Sequence, residues 1–396
     1  MRILVCAAEA PLPPMNGARL QLRHLCEELA RRHEVTVVAY RQRDQYGAAP
    51  AGVELHELEL PRTTAPERAY VAFRAAAAGD PRGAVTLAPR IADTVGGMVA
   101  GGRFDVAHVA GAQLAVLAPV FAELPAVLAP LDAWHLNLAA AIRTAPAPLR
   151  PLRRLDLRVA RRFSSHALRP FASVVMVSEE DAAAARALDP TLHVDVVPNG
   201  VDTDHFKPDP RAPAERGLVV MTGAMHYAPN VEAARVLADE VLRRVRARRP
   251  DARLAIVGRA PAAAVRRLGA LEHVDVTGEV PDLRPWLQRA EVYACPMVSG
   301  TGIKNKLLEA LACGAPSVTT PLGCQGLRAS PGDDLLVANV PDAFADAVVA
   351  LLDDPDRRAR LGRAGRAAVV EHHGWAATAA AYEAIYSRAI GSASAA

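Results

Sequence analysis

Short apolar runs alternate with helical patterns along most of this chain. In the first half, runs such as RILVCA predict strands near 2–7, 34–39, 53–60, 104–109, 126–131 and 173–178. Strands that alternate with helical stretches argue for an α/β fold with a parallel sheet covered on both faces. The first helix is expected over about 17–32, where Leu22, Leu25, Cys26 and Leu29 follow the i, i+3, i+4, i+7 spacing that buries one face. His24 lies off that stripe and reads as a surface histidine. The second half repeats the rhythm as LVVMT, a helix through Val245, LAIVG, a helix, VDVTG, a short helix around Trp286, and VYACP. Ala234, Leu237, Ala238, Val241, Leu242 and Val245 put one face of its first helix on a sheet. After about residue 341 only helices are expected, the last from Trp375 to about Ile390. Between the halves, residues 196–216 carry Pro198, Pro208, Pro210 and Pro213 and lack periodicity, which predicts a linker.

Two domains are therefore expected from 396 residues: one over 1–197, a linker at 198–216, a second over 217–374, and a terminal helix and tail over 375–396. The stretch Cys295–Thr320, CPMVSGTGIKNKLLEALACGAPSVTT, reads as strand, glycine loop, helix and strand in quick succession. Gly300 and Gly302 lack a Cβ, so backbone N–H groups there can approach a ligand closely. A helix is expected from near Asn305, with Leu307, Leu308 and Leu311 packed on a sheet, Gly314 past its end and Pro316 preventing continuation. Unpaired N–H groups and the dipole at a helix start favour an anion, and Lys304 and Lys306 bring two ammonium groups to the same place. A phosphate or diphosphate is the natural guest. The spacing of a nucleotide-triphosphate loop is absent, and a dinucleotide fingerprint would need glycine where Asn305 stands. The plain alternative is a solvent-exposed βα turn with two lysines; Glu309, one turn into the helix, reads either as an ordinary surface glutamate or as the group that accepts both hydroxyls of a ribose. In the first half, the loop APLPPMNG lies at a strand's carboxyl end, where doubly wound sheets bind ligands, and Gly17 is the close-approach position.

Composition narrows the function classes. Lys plus Arg total 46 against 43 Asp plus Glu, a formal charge of +3, too near balance to imply a nucleic-acid partner. Five cysteines without a Cys-x-x-Cys pair predict a reducing, cytoplasmic setting, and a strand beginning at the first residues predicts no signal peptide. Residues 106–122 are apolar enough to raise the question of a membrane span, but Pro119, Pro125 and Pro130 favour a buried strand and helix. Residues 143–171 are rich in arginine with Asp156 as their only acid. They predict a helix with a solvated basic face, or a surface that meets anionic lipid at the inner membrane face or a phosphorylated acceptor. Asp202-Thr203-Asp204 mimics a metal motif but sits in the linker, and the twelve histidines show no ligand spacing, so no metal is expected.

GTGIKNKLLEALACGAPSVTT resembles the donor-binding segment of retaining glycosyltransferases with two Rossmann-like domains, the GT-B enzymes of the family 4-like type (glycosyl transferases group 1). The likeness extends to Pro14–Gly17, to VVPNGVDTDHF and to MTGAMHYAPNVEAA. It implies two Rossmann-like domains facing across a cleft, acceptor-binding first and donor-binding second, with a C-terminal helix returning to the first. It implies donor contacts from Gly17, Gly223, His226, Gly300, Thr301, Gly302, Lys304, Lys306 and Glu309, with Glu309 on the ribose. On the acceptor side the catalytic candidates are His108, at the end of FDVAHV, and Asp132 with His135 in LAPLDAWHLNL. The implied substrates are a UDP-, GDP- or dTDP-sugar and an acceptor hydroxyl, with retention of configuration and no catalytic metal. Surface-polysaccharide assembly and natural-product decoration both fit.

The chain departs from the family pattern in three places. Asn16-Gly17 replaces a paired glycine, the stretch Gly223 to Asn230 carries no arginine or lysine, and Thr301 stands where many relatives place a glutamate eight residues before Glu309. Neutralising the diphosphate therefore falls mainly to Lys304 and Lys306. A nucleotide-sugar epimerase of similar build and a non-catalytic nucleotide-sugar-binding or scaffolding protein are the competing readings. The first would need paired acids or histidines converging on the sugar, and no convincing set is found.

Overall fold

The computed structural model describes residues 1–13, 17–60, 64, 66–67, 82–130, 133, 135–136, 138–139, 142, 147–300 and 302–394. The chain divides into two compact units: unit 1 is Met1–Pro198 together with Thr378 onward, and unit 2 is Asn199–Ala377.

In unit 1, strands β1 (Arg2–Ala7), β2 (Glu34–Arg41), β3 (Val53–Glu59), β4 (Val106–Ala110), β5 (Ala126–Ala129), β6 (Ser173–Met176) and β7 (Val194–Val196) form one sheet in the order β3-β2-β1-β4-β5-β6-β7. Every neighbouring pair is parallel. The central strands are apolar on both faces because helices cover both. Helix α1 (Gly17–Ala30) buries Leu22, Leu25, Cys26 and Leu29 on one side. On that side too the terminal helix, Trp375–Ser394, inserts Ala379, Tyr382, Ile385, Tyr386 and Ala389 into the same core cluster as Ile3, Val5 and Val37. These positions recur every three or four residues, so one helical stripe supplies the whole contact.

Unit 2 is built on the same plan. Strands β8 (Glu215–Thr222), β9 (Arg253–Val257), β10 (Val274–Gly278), β11 (Ala290–Cys295), β12 (Ser317–Thr319) and β13 (Leu336–Val337) pair in the order β10-β9-β8-β11-β12-β13, again all parallel. The expected helix through Val245 is present as Ala228–Arg235, a π-helical turn at Val236–Val241, and Leu242–Arg246; its stripe from Ala234 to Val245 is buried. In both sheets the strand order reverses beside the first strand, between β1 and β4 and between β8 and β11. Ligands of doubly wound sheets sit outside the carboxyl ends at such a reversal.

Two details differ from the sequence-based expectation. Edge strands β7 and β13 were not anticipated, because three and two residues are too few for a period to register. The stretch expected to be a linker is docked on unit 2 over much of its length: Val201 N donates to His373 O at 2.7 Å, and Arg366 holds the carbonyls of Phe206 and Thr203 at 3.1 and 3.3 Å. The apolar run at 106–122 is a buried strand and helix as expected, β4 followed by a 3₁₀ helix, Ala112–Phe121. Among the described residues no helix is long and apolar enough to cross a membrane.

Candidate active site

At the β8/β11 reversal of unit 2, strand β11 is buried end to end and then opens into the glycine loop. Gly300 has φ 98° and Gly302 φ 70°, conformations that a side chain strains. A Cβ on Gly300 would also press within 3.2 Å of the Pro229 ring. The following helix, Asn305–Ala312, buries Leu307, Leu308 and Leu311. It begins at Lys304, whose carbonyl accepts from Leu307 N at 2.7 Å. The Lys304 side chain makes no capping hydrogen bond at this start, and the positive end of the helix dipole faces the glycine loop. Gly314, with φ 73°, closes the other end as its position predicts.

Both lysines are folded inward. Lys304 is buried and its ammonium donates to Gly302 O, tying the loop to the helix start. The Lys306 ammonium donates to Asn230 Oδ1 and lies 3.4 Å from the Met297 sulfur. Burial lowers the Lys306 pKa, opposed by the nearby Cys295 and Glu309. Glu309 is pushed up to about 7 by burial, with Lys306 pulling the other way. The site therefore holds two recessed cations and one carboxyl poised near neutrality. Such an arrangement receives a strongly anionic group and can hydrogen-bond hydroxyls beside it.

The end of β8 completes this edge. Gly223 has φ 151°, and a Cβ there would come within 2.8 Å of Asn230 Nδ2. Gly258, after β9, packs so closely that its Cβ would lie 1.7 Å from Gly223 O. His226 is exposed in the turn after β8. Asp202 Oδ1 accepts from the N–H groups of Asp204 and His205 at 3.1 and 2.8 Å, so the Asp-x-Asp look-alike acts as a turn cap.

Unit 1 has a cavity of about 450 Å³ at the β1/β4 reversal, lined by Glu9, Gly17, Arg19, Gln21, His108 and Gln113 among others. Arg19 Nε donates to Glu9 Oε2 at 2.6 Å, its own side chain 9% exposed and that of Glu9 40%. His108 stands in the middle of the sheet, and its Nδ1 shares a 2.8 Å hydrogen bond with the Tyr386 hydroxyl. Burial pulls its pKa down to about 4, so the imidazole is neutral at neutral pH.

The structure thus brings Gly223, Gly300, Gly302, Lys304, Lys306 and Glu309 to one sheet edge in unit 2, and Gly17 with His108 to one cavity in unit 1. His135 is buried elsewhere in unit 1, where burial and Arg161 lower its pKa against the pull of Asp181. Asp132 and Thr301 lie outside the described residues. Sequence reasoning missed Glu9, Arg19, Gln21 and Asn230. A charged residue on the buried side of α1 was the one available signal for Arg19. For Asn230 there was none.

The sequence matches the family described as glycosyl transferases group 1 over residues 216–354 and a glycosyl transferase 4-like domain over residues 16–200. The chain belongs to the group 1 glycosyltransferases. Among curated relatives, a GDP-mannose-dependent alpha-(1-6)-phosphatidylinositol monomannoside mannosyltransferase from Mycolicibacterium smegmatis is 33% identical over 217 residues, covering 48% of this chain and 55% of the relative. A D-inositol 3-phosphate glycosyltransferase from Pseudarthrobacter chlorophenolicus is 34% identical over 219 residues, covering 50% and 52%. The chain spans about half the length of the curated relatives it matches. Among solved structures, sucrose-phosphate synthase from Thermosynechococcus elongatus superposes with a TM-score of 0.73 at 16% identity, covering 99% of this chain and 100% of that one. Anabaena HepE in complex with UDP superposes at 0.68 with 15% identity, covering 98% and 100%. The fold of the chain is GT-B.

Proposed function

We propose that this protein transfers a sugar from a nucleotide-sugar donor to an acceptor hydroxyl, with retention of configuration. The observation that carries the reading is the glycine turn of unit 2. Gly300 and Gly302, two recessed ammonium groups and a helix start share the strand reversal where an α/β sheet binds ligands, and Glu309 follows within one helical turn.

In the proposed reaction the bond between the anomeric carbon and the donor phosphate oxygen breaks, and the diphosphate leaves with the electron pair. The acceptor oxygen bonds to the same carbon on the same face and passes its proton to the departing phosphate. Lys304, Lys306 and the helix start receive the charge that develops on the leaving group, and charge-assisted contacts of this kind contribute about 1.5–3 kcal/mol each. Two lysines supply the positive charge that a divalent ion supplies elsewhere, so the transfer needs no catalytic metal. Glu309 holds the ribose hydroxyls. UDP and GDP sugars offer Glu309 both ribose hydroxyls, whereas a dTDP sugar, built on 2′-deoxyribose, offers only one.

The acceptor is assigned to the unit 1 cavity. Glu9, Gln21 and Gln113 offer carboxylate and amide groups that pair with several hydroxyls at once, and Arg19 balances the charge of Glu9. A polyol acceptor fits such a lining, and the names of both relatives above refer to inositol-bearing molecules. His108, neutral and tied to Tyr386, forms part of the cavity wall rather than a proton carrier. We place the protein in the cytoplasm, where nucleotide sugars are found and where its five free cysteines stay reduced. Peripheral membrane attachment is assigned to the helix Arg150–Ala167, which exposes Arg153, Arg154, Arg158, Arg161 and Arg162, with Leu149 and Leu155 also exposed beside them.

The deciding experiment incubates the protein with UDP-, GDP- and dTDP-sugars, with and without inositol, inositol phosphate and other polyols, and follows nucleoside diphosphate release. Release that rises with acceptor supports transfer. An isomerised donor, or binding without turnover, would overturn it in favour of an epimerase or a non-catalytic binder.

A further inference from the structure

The chain contains three lysines, Lys207, Lys304 and Lys306, and all its other Lys and Arg positions, out of 46, are arginine. Two of the three thus stand within three positions of each other at the glycine turn. A lysine ammonium is a compact point charge on a flexible stem, and its position is set by whatever its three N–H groups find. Lys306 finds Asn230, seventy-six residues earlier.

Asn230 lies in the first turn of the helix Ala228–Arg235 and is 4% exposed. Its side chain links two loops. Nδ2 donates to Ala224 O at 3.0 Å, in the loop after β8, while Oδ1 accepts from the Lys306 ammonium, beyond the loop after β11. The orientation of the amide is settled by its partners, since an ammonium only donates and a carbonyl only accepts. Gly223 makes the space: with a Cβ at that position 2.8 Å from Nδ2, the amide could not stay where it is. An amide oxygen orients a cation but leaves its charge intact, whereas an aspartate in the same place would form an ion pair and cancel it.

We propose that Asn230 is a positioning residue for the transfer reaction, its side-chain oxygen aiming the Lys306 ammonium at the diphosphate while leaving the full charge available. This rests on the reading of the glycine turn as the donor site. The groups that bear on the Lys306 charge are Cys295 at the end of β11 and Glu309 on the same helix, both favouring the ammonium against its burial. Lys304 shares the Cys295 surroundings. Asn230 adds a hydrogen bond that only the protonated amine can make in full.

Two measurements test this on the full chain and on Asn230→Ala, Asn230→Asp and Asn230→Gln variants. The first labels lysine at Cε with carbon-13 and titrates the three signals by NMR. The Lys306 transition is expected to move to lower pH in Asn230→Ala and to higher pH in Asn230→Asp, with Lys207 unmoved. An unchanged Lys306 titration in both would overturn the coupling whether or not the protein is a transferase. The second is steady-state transfer. Asn230→Ala and the near-isosteric Asn230→Asp are expected to lose tenfold or more in kcat with a smaller change in donor KM, and Asn230→Gln to recover part of it. Wild-type kcat in Asn230→Asp would overturn the positioning role. If the wild-type chain binds none of UDP, GDP or dTDP, the donor-site reading itself fails, and the NMR titration still reports on the amide and the amine separately.

Discussion

His108 and Tyr386 are 278 residues apart and share a 2.8 Å hydrogen bond in the core of unit 1, the imidazole edge-on to Tyr382 at 5.3 Å between ring centroids. This contact joins the middle of the sheet to the terminal helix. Tyr386→Phe leaves the buried Nδ1 without a partner, and the expected loss is about 1–3 kcal/mol of unfolding free energy. Denaturant unfolding followed on both proteins checks it.

The same histidine predicts a pH dependence. Its folded pKa of about 4 lies below the ordinary value near 6.5, and His373 in unit 2 is depressed to the same level by burial. Between those limits the unfolded chain binds protons that the folded chain does not. Stability is therefore complete above about pH 6.5 and falls as the pH drops towards 4, by roughly 3 kcal/mol for a fully buried histidine shifted this far. His108→Gln is expected to flatten the unfolding midpoint against pH in this range. An equally steep profile in the variant would remove His108 as its source.

Lys304→Ala and Lys306→Ala should each slow transfer by about 10- to 100-fold, the equivalent of one charge-assisted contact, while thermal unfolding changes far less. Lys306→Arg is expected to behave like the alanine variant, because a planar guanidinium cannot occupy the place of an ammonium seated on an amide oxygen and a thioether. Kinetics and melting on the same preparations decide; normal turnover in a variant counts against that lysine.

Glu309, at about 7, is part-protonated at neutral pH. An ionised carboxylate accepts from two hydroxyls at once, whereas its protonated form turns one oxygen into a donor, so nucleotide affinity is expected to rise between pH 6 and pH 8. Glu309→Gln should weaken binding about tenfold or more and abolish that rise. Because its folded pKa is raised, the same group favours folding at low pH and loses that contribution as the pH climbs from about 4.5 through 7. Calorimetric titration with UDP and GDP across the range tests the first effect, and unfolding of Glu309→Gln against pH tests the second.

The arginine face of the helix Arg150–Ala167 is expected to sediment with anionic vesicles at low salt and to be released as salt rises. Arg154→Glu with Arg158→Glu should abolish sedimentation without altering transfer to a soluble acceptor. Equal, negligible binding to anionic and neutral vesicles would remove the membrane assignment.

Much of this protein was legible in its sequence because the relevant signals are local. Apolar runs buried on both faces, the stripe of α1, and a glycine turn followed by lysines and a leucine-rich helix each lie within about twenty residues, where periodicity and turn chemistry act directly. The two-residue strand β13 was too short to register. Tertiary structure decided which distant groups meet. The strand orders carry β8 beside β11 and β1 beside β4, and only that placement sets Asn230 under Lys306, puts His108 against Tyr386, and turns Arg19 and Gln21 into one cavity with Gln113. Amides, ion pairs and hydroxyls have no period to betray them. Their roles follow from partners that the fold selects, and a linear pattern holds no record of those partners.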